Sequence, residues 1–167
     1  GFGGLGHMAV QYAVSMGAEV TVFDITDEKR NEALAYGATR YVNVRNAEDL
    51  KGLDNTFRFI LSTIPSAYDP MMYVKMLKVN GELAVVGMPA AKDAPMVSVL
   101  GLRGRKKVWF SLIGGIRETQ EAVDYSIAHG IYPQVEVIPV QRINEAWRNV
   151  VDGKVKFRYV IDMKTIR

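Results

Sequence analysis

The chain has 167 residues, 49% of them apolar, enough for one domain of ordinary size with a real core and too much for a disordered segment. Its net charge of +3 is small and dispersed, so composition points to no nucleic-acid partner and no membrane partner. Cysteine is absent, which excludes disulfides, thiolate nucleophiles and sulfur-ligated zinc within these residues.

No stretch approaches the roughly 20 apolar residues of a membrane span, and no charged-then-apolar leader opens the chain, so the expectation is a cytoplasmic protein. The first six residues, Gly1-Phe2-Gly3-Gly4-Leu5-Gly6, have the form G-x-G-x-x-G. A helix predicted over 5–16 puts Met8, Ala9, Tyr12, Ala13 and Met16 on one face, and Gly17 suits a left-handed C-cap. A strand is expected over 18–23. Thr26 is expected to cap the next helix, with Asp27 and Glu28 in its first turn and Gly37 closing it.

The rhythm then repeats. A short strand over 41–44 and a helical turn over 47–51 precede a near-continuous apolar strand over 57–63, suited to the middle of a parallel sheet. Asp69-Pro70 supplies an N-cap and a proline at the first helical position. That helix is expected to end before Asn80-Gly81. A buried strand over 82–88, an irregular stretch with Pro89 and Pro95, and a strand over 107–113 follow. The basic cluster Arg103, Arg105, Lys106 and Lys107 reads as a solvated loop. After Gly114-Gly115 the order becomes helix (118–129), strand (135–138), helix (143–152) and strand (157–162). This tail looks like an added layer.

The glycine motif opens an amphipathic helix that leads into a strand ending at Asp24, the offset of about 20 residues at which an acidic side chain meets the adenine ribose hydroxyls of a dinucleotide. The glycine roles follow: Gly1 for the tight turn, Gly3 for close backbone approach of the pyrophosphate, Gly6 for helix packing. Carboxylate at Asp24 repels the 2′-phosphate of NADP, so NAD is favoured over NADP, with Lys29 and Arg30 nearby to soften the discrimination. His7 reads as packing or capping, His129 as a helix-end residue, and Met71, Met72 and Met76 as core filler. Two isolated histidines assemble no triad and no paired-ligand motif, so no catalytic residue and no metal ligand is assigned.

Four ordered blocks, Gly1 to Ala9, Gly81-Glu82-Leu83 with Val86-Gly87-Met88-Pro89, Ser111-Leu112-Ile113-Gly114-Gly115, and Phe157 to Asp162, make nearly the whole chain resemble the C-terminal portion of zinc-dependent medium-chain alcohol dehydrogenases of the cinnamyl alcohol dehydrogenase-like branch. The resemblance implies a doubly wound parallel Rossmann sheet over 1–115, lacking its first strand, and a tail over 116–167 that belongs to the catalytic domain. It also implies cofactor-binding roles for Gly4, Leu5, Lys29, Thr63, Ile64, Pro65, Val86, Gly87, Met88, Ser111, Leu112, Ile113 and Arg158. Buried strand ends and surface charge are the alternative readings of those positions.

By the same resemblance the full-length enzyme moves hydride between a small primary alcohol or aldehyde and NAD(P), and its zinc ligands come from residues that precede Gly1. This chain alone is then expected to be inactive, and either to rearrange, to associate through the gap left by the first strand, or to be only marginally stable. The stretch Pro95 to Val99 resembles a segment that pairs across a dimer, which implies a homo-oligomer. A non-catalytic nucleotide-binding or oligomerisation module is the rival reading.

Overall fold

A computed structural model describes residues 1–166. In chain order the elements are α1 (Gly6–Ser15), β1 (Thr21–Asp24), α2 (Arg30–Ala35), β2 (Arg40–Asn43), β3 (Phe57–Ser62), α3 (Pro70–Met76), β4 (Leu77–Val85), β5 (Lys107–Phe110), α4 (Ile116–His129), β6 (Val135–Pro139), α5 (Ile143–Val151) and β7 (Arg158–Asp162). Every strand pair is parallel: β1 with β2, β3 with β4 with β5, and β6 with β7. Parallel neighbours need crossovers, and helices supply most of them, so the expected mixed α/β architecture is present.

Several boundaries move for local reasons. Thr26 caps no helix, because Asp27 turns to Arg30 and Asn43 and the chain stays in a turn until α2 begins at Arg30. The expected helical turn over 47–51 is a run of tight turns instead, with Asp49 accepting from the Asn43 amide. β4 starts at Leu77, earlier than expected, since Leu77 is wholly buried and Asn80, at φ 62°, lets the chain bulge before pairing resumes at Glu82. β5 stops at Phe110, which leaves Ser111, Leu112 and Ile113 beyond the strand. Pro95 to Ser98 forms no strand, and Met96 and Val99 are exposed. The Asp69 cap is present as expected, its carboxylate accepting the Met71 N–H at 2.8 Å ahead of Pro70 at the first helical position.

The core falls into two clusters. Leu77, Leu83, Val74, Tyr73 and Ile60 centre one of them on β3, β4 and α3. Phe2, Val10, Val22, Ala33, Tyr41 and Phe157 form the other, between α1, β1 and the start of β7. Between the clusters lies a cleft of about 490 Å³, lined by Val22, Phe23, Phe59 and Leu61 from the strands and by Ala9 and Ala13 from α1. It separates β1 from β3, which belong to two separate sheets, β1 with β2 and β3 with β4 and β5. The two halves are joined on one face by Phe23, whose ring meets Phe57 and Tyr73 edge-on at 5.6 and 5.8 Å. Such aromatic pairs are worth about 0.5–1.5 kcal/mol each beyond their buried area, enough to align the halves but not to replace a ladder of backbone bonds.

The C-terminal segment rests on α1. Tyr12 meets Ser126 of α4, Ser15 meets Tyr125 at 2.9 Å, and Gln11 donates to the Tyr132 carbonyl at 3.3 Å.

Backbone hydrogen exchange checks the divided sheet. Leu83, Ala84 and Val85, in a strand paired on both sides, are expected to exchange more slowly than Thr21–Asp24 and Phe57–Ser62, which each border the cleft. Equal protection of all three strands would show the cleft closed in solution.

Candidate functional site

The C-terminal ends of β1 and β3 converge on the turn that opens the chain. Asp24 ends β1 with one carboxylate oxygen accepting the Phe2 N–H at 2.7 Å and the other accepting the Ile25 N–H at 2.6 Å. Thr63, just past β3, donates its hydroxyl to the Gly1 carbonyl at 2.9 Å. Within the turn, a β-carbon on Gly6 would sit 2.1 Å from the Gly1 carbonyl oxygen, closer than any real side chain allows. Only glycine closes this turn.

Beyond it the loop carbonyls are held from behind. The Gly3 carbonyl accepts the His7 amide at 3.0 Å and the His7 ring Nδ1 at 3.1 Å, while Arg158 donates from Nη2 to the Gly4 carbonyl at 3.2 Å. Among the described residues the amides of Gly3, Gly4, Leu5 and Gly6 meet no protein acceptor. Free N–H groups at the first turn of a helix carry partial positive charge and suit an anion. A β-carbon at Gly3 would meet no protein atom within 4 Å, so the loop backbone lies open to an incoming group there.

The remaining expected residues line up along the same strand ends. Ser62 accepts the Val86 and Gly87 amides at 2.9 and 3.1 Å, and the Ser111 amide bonds to Val85 at 3.0 Å. Gly87 permits this contact, because a β-carbon there would lie 2.2 Å from the Ile64 carbonyl oxygen. Ile64 and Pro65 continue from Thr63 as irregular backbone, and Met88, Leu112 and Ile113 are exposed beyond β4 and β5. Lys29 stands at the N-cap of α2 with its ammonium 5.7 Å from the centre of the Phe157 ring. The structure thus brings Gly1, Gly3, Gly4, Gly6, Asp24, Thr63 and Arg158 into one connected set. Lys29 joins that set only through Phe157.

Residues not assigned a site role in the sequence lie behind this set. Phe2 is buried against Phe157 and Tyr36, at 5.3 and 6.3 Å, and His7 stacks on Phe157 at 4.5 Å with the planes 9° apart. The sequence signal was faint, being a phenylalanine inside the glycine motif and another before the last strand. Ser62 Oγ lines the cleft, buried and without a partner among the described residues.

No group of three or more His, Cys, Asp or Glu stands together among the described residues. His7 has both ring nitrogens engaged, and His129 directs Nδ1 to the Tyr125 carbonyl. These residues do not fit a zinc site. No helix among the described residues is long and apolar enough to cross a membrane.

A model of the zinc-binding dehydrogenase family matches residues 4–128. The chain belongs to that family. Among curated relatives it is 41% identical over 166 residues to a probable formaldehyde dehydrogenase AdhA of Bacillus subtilis, covering 99% of this chain and 47% of that protein. It is 40% identical to the aldehyde reductase YahK of Escherichia coli, covering 99% of this chain and 48% of the relative. Among solved structures it is 49% identical to a cinnamyl alcohol dehydrogenase from Helicobacter pylori complexed with NADP(H), with a TM-score of 0.90 over all of this chain and 47% of that one. The chain therefore spans about half the length of the relatives it matches. Their architecture confirms the Rossmann-like reading of the parallel strands, and the resemblance to this family stated from the sequence holds.

Two glycine substitutions separate folding from binding. Gly6→Ala is expected to lower the melting temperature, since its β-carbon strikes backbone. Gly3→Ala is expected to leave melting and circular dichroism unchanged while weakening dinucleotide binding by about tenfold or more. Loss of fold in Gly3→Ala, or full binding by it, would contradict this geometry.

Proposed function

We propose that this chain is the cofactor-holding part of a zinc-dependent alcohol dehydrogenase that moves hydride between a primary alcohol or aldehyde and NAD(P), with NAD preferred. The observation that carries the reading is the loop of four unpartnered amides at Gly3 to Gly6, with the Gly3 and Gly4 carbonyls held from behind by His7 and Arg158. Bound there, the pyrophosphate would meet those amides and the Arg158 guanidinium, with Asp24 and Lys29 toward the ribose. Thr63, Ile64, Pro65, Val86, Gly87, Met88, Ser111, Leu112 and Ile113 would line the nicotinamide end. The nicotinamide supplies the hydride-accepting carbon. This chain's residues bind and orient it, and no step is assigned to a metal held here. Residues 1–115 form the dinucleotide-binding unit, and 116–167 belong with the catalytic domain of a cytoplasmic enzyme.

Preference for NAD rests on Asp24. Its two oxygens each accept one backbone N–H, and each keeps a lone pair for a ribose hydroxyl. Repulsion between unit charges at ~4 Å is worth ~1 kcal/mol in water and ~4 kcal/mol near a protein surface. A tenfold preference needs only about 1.4 kcal/mol. The Helicobacter pylori relative holds NADP(H), so the comparison of the two cofactors is the decisive test of this residue.

Calorimetric titration of the chain with NADH and with NADPH tests both levels. NADH is expected to bind at least about tenfold more tightly, and Asp24→Asn to narrow that gap. Binding of neither cofactor would favour the rival, an oligomerisation module without a nucleotide; binding without turnover would fit a chain that holds cofactor but no metal.

We propose further that copies associate through Pro95 to Val99, where Met96 is 87% and Val99 81% exposed. Sedimentation should show an oligomer that Val99→Glu dissociates, and a monomer in both cases would refute it.

A further inference from the structure

His7 occupies an unusual place for a histidine. It sits in the first turn of α1, has no exposed surface, and lies between the aromatic rings of Phe157 and Tyr36. Its Nδ1 is 3.1 Å from the Gly3 carbonyl oxygen, and its Nε2 is 3.3 Å from the Gln134 amide nitrogen. A carbonyl oxygen only accepts and a backbone N–H only donates. The two partners therefore fix one state of the ring, with the proton on Nδ1 and Nε2 bare.

Gln134 is itself tied down. Its carbonyl accepts the Phe157 N–H at 3.4 Å, and its side-chain oxygen accepts the Tyr36 hydroxyl at 3.3 Å. One imidazole thus spans the glycine loop at one end and the entry to β6 at the other.

We infer that His7 is a positioning residue for the dinucleotide loop: its neutral Nδ1–H form ties the Gly3 carbonyl to Gln134, keeping the loop amides turned outward, and protonation at Nε2 cuts the tie to Gln134 while the Nδ1–H bond to Gly3 stays, so the loop loses its anchor to the C-terminal segment. The consequence for the ligand rests on the function proposed above, whereas the latch between Gly3 and Gln134 does not.

The surroundings support the neutral form. Burial is the first cause that lowers the His7 pKa below its ordinary value, and the Arg158 guanidinium on β7 lowers it further, against the Gly3 and Gly4 carbonyls, which raise it. The other charges packed around the node are already engaged. Lys29 of α2 lies over Phe157, Glu32 of α2 pairs with Lys156, and Asp24 spends its carboxylate on Phe2 and Ile25. Because the folded value lies below the unfolded one, the stabilisation is complete above the ordinary value of 6.5 and is lost as pH falls through the folded value.

Nitrogen-detected NMR of the full chain, titrated between about pH 8 and 5, reads the ring and the Gln134 amide together. The expected result is an Nδ1-protonated neutral ring whose titration moves the Gln134 amide with the same midpoint, below that of an exposed histidine. NADH affinity should fall across that midpoint. In His7→Phe, which keeps a flat ring but loses both bonds, affinity should be about tenfold weaker and independent of pH in this range. His7→Asn keeps a donor near the Nδ1 position but loses the bond to Gln134, so it should bind NADH with the reduced, low-pH affinity of the unmodified chain at every pH in this range, tighter than His7→Phe. An Nε2-protonated ring, a titration that leaves the Gln134 amide unmoved, or a His7→Phe chain that binds NADH with the original affinity and pH slope would each overturn the inference. If NADH binds at no pH, the proposed function fails, and the ring tautomer with the Gln134 titration still decides the latch. If a variant does not fold, the same titration of the unmodified chain decides it.

Discussion

The approach of Gly6 to the Gly1 carbonyl is the constraint on which the site depends. A β-carbon at 2.1 Å from that oxygen is impossible, so the turn exists only because the sixth residue has none. The tight turn sets α1 directly behind the loop and aims its first amides at open space. A helix leaves its first four N–H groups without internal partners, and here the protein's own side chains do not fill them. What the protein does supply is a set of donors for the carbonyls on the other side, from His7, Thr63 and Arg158. The loop is thereby presented with its polarity sorted, donors outward and acceptors inward, before any ligand arrives. That arrangement lowers the ordering cost a bound anion would otherwise meet.

Asp24 illustrates how one side chain serves both fold and site. Its carboxylate closes the distance between the end of β1 and the glycine loop through the Phe2 amide. The charge that fixes the loop is also the charge that, in the proposed binding mode, would meet the ribose hydroxyls. A change made to alter cofactor preference therefore acts on the turn as well, and an amide, which keeps one acceptor oxygen, disturbs it less than an apolar residue. Phe2 has the same double role, since its amide is held by Asp24 while its ring is buried against Phe157.

The cleft between β1 and β3 bears on how rigidly these parts are held. Each strand has a partner on one side only, and Phe23 with Phe57 and Tyr73 spans the division on one face. At the upper end Gly1 and Phe2 touch both halves, through Thr63 and Asp24. The glycine loop is thus both the candidate binding element and a bridge between two cores. The C-terminal segment adds a second brace from behind, with Phe157 and Arg158 reaching the loop from the start of β7 and α4 resting on α1.

Much of this was legible in the sequence because it is local. Alternating apolar runs and glycine stops gave the order of strands and helices, Asp69-Pro70 gave the start of α3, and the spacing from Gly6 to Asp24 placed the acidic residue at the end of β1. Local patterns did not give the cap of α2, where Asp27 found partners in Arg30 and in the distant Asn43, or the early start of β4, where burial of Leu77 outweighed the turn signal at Asn80-Gly81. The sequence by itself determined the family, the parallel architecture and the glycine turn, since these depend on residue type at short spacing. Only the tertiary structure decided the tautomer of His7, the inward hold on the loop carbonyls and the cleft that divides the sheet, because each depends on groups that folding brings together from as far apart as residues 4 and 158.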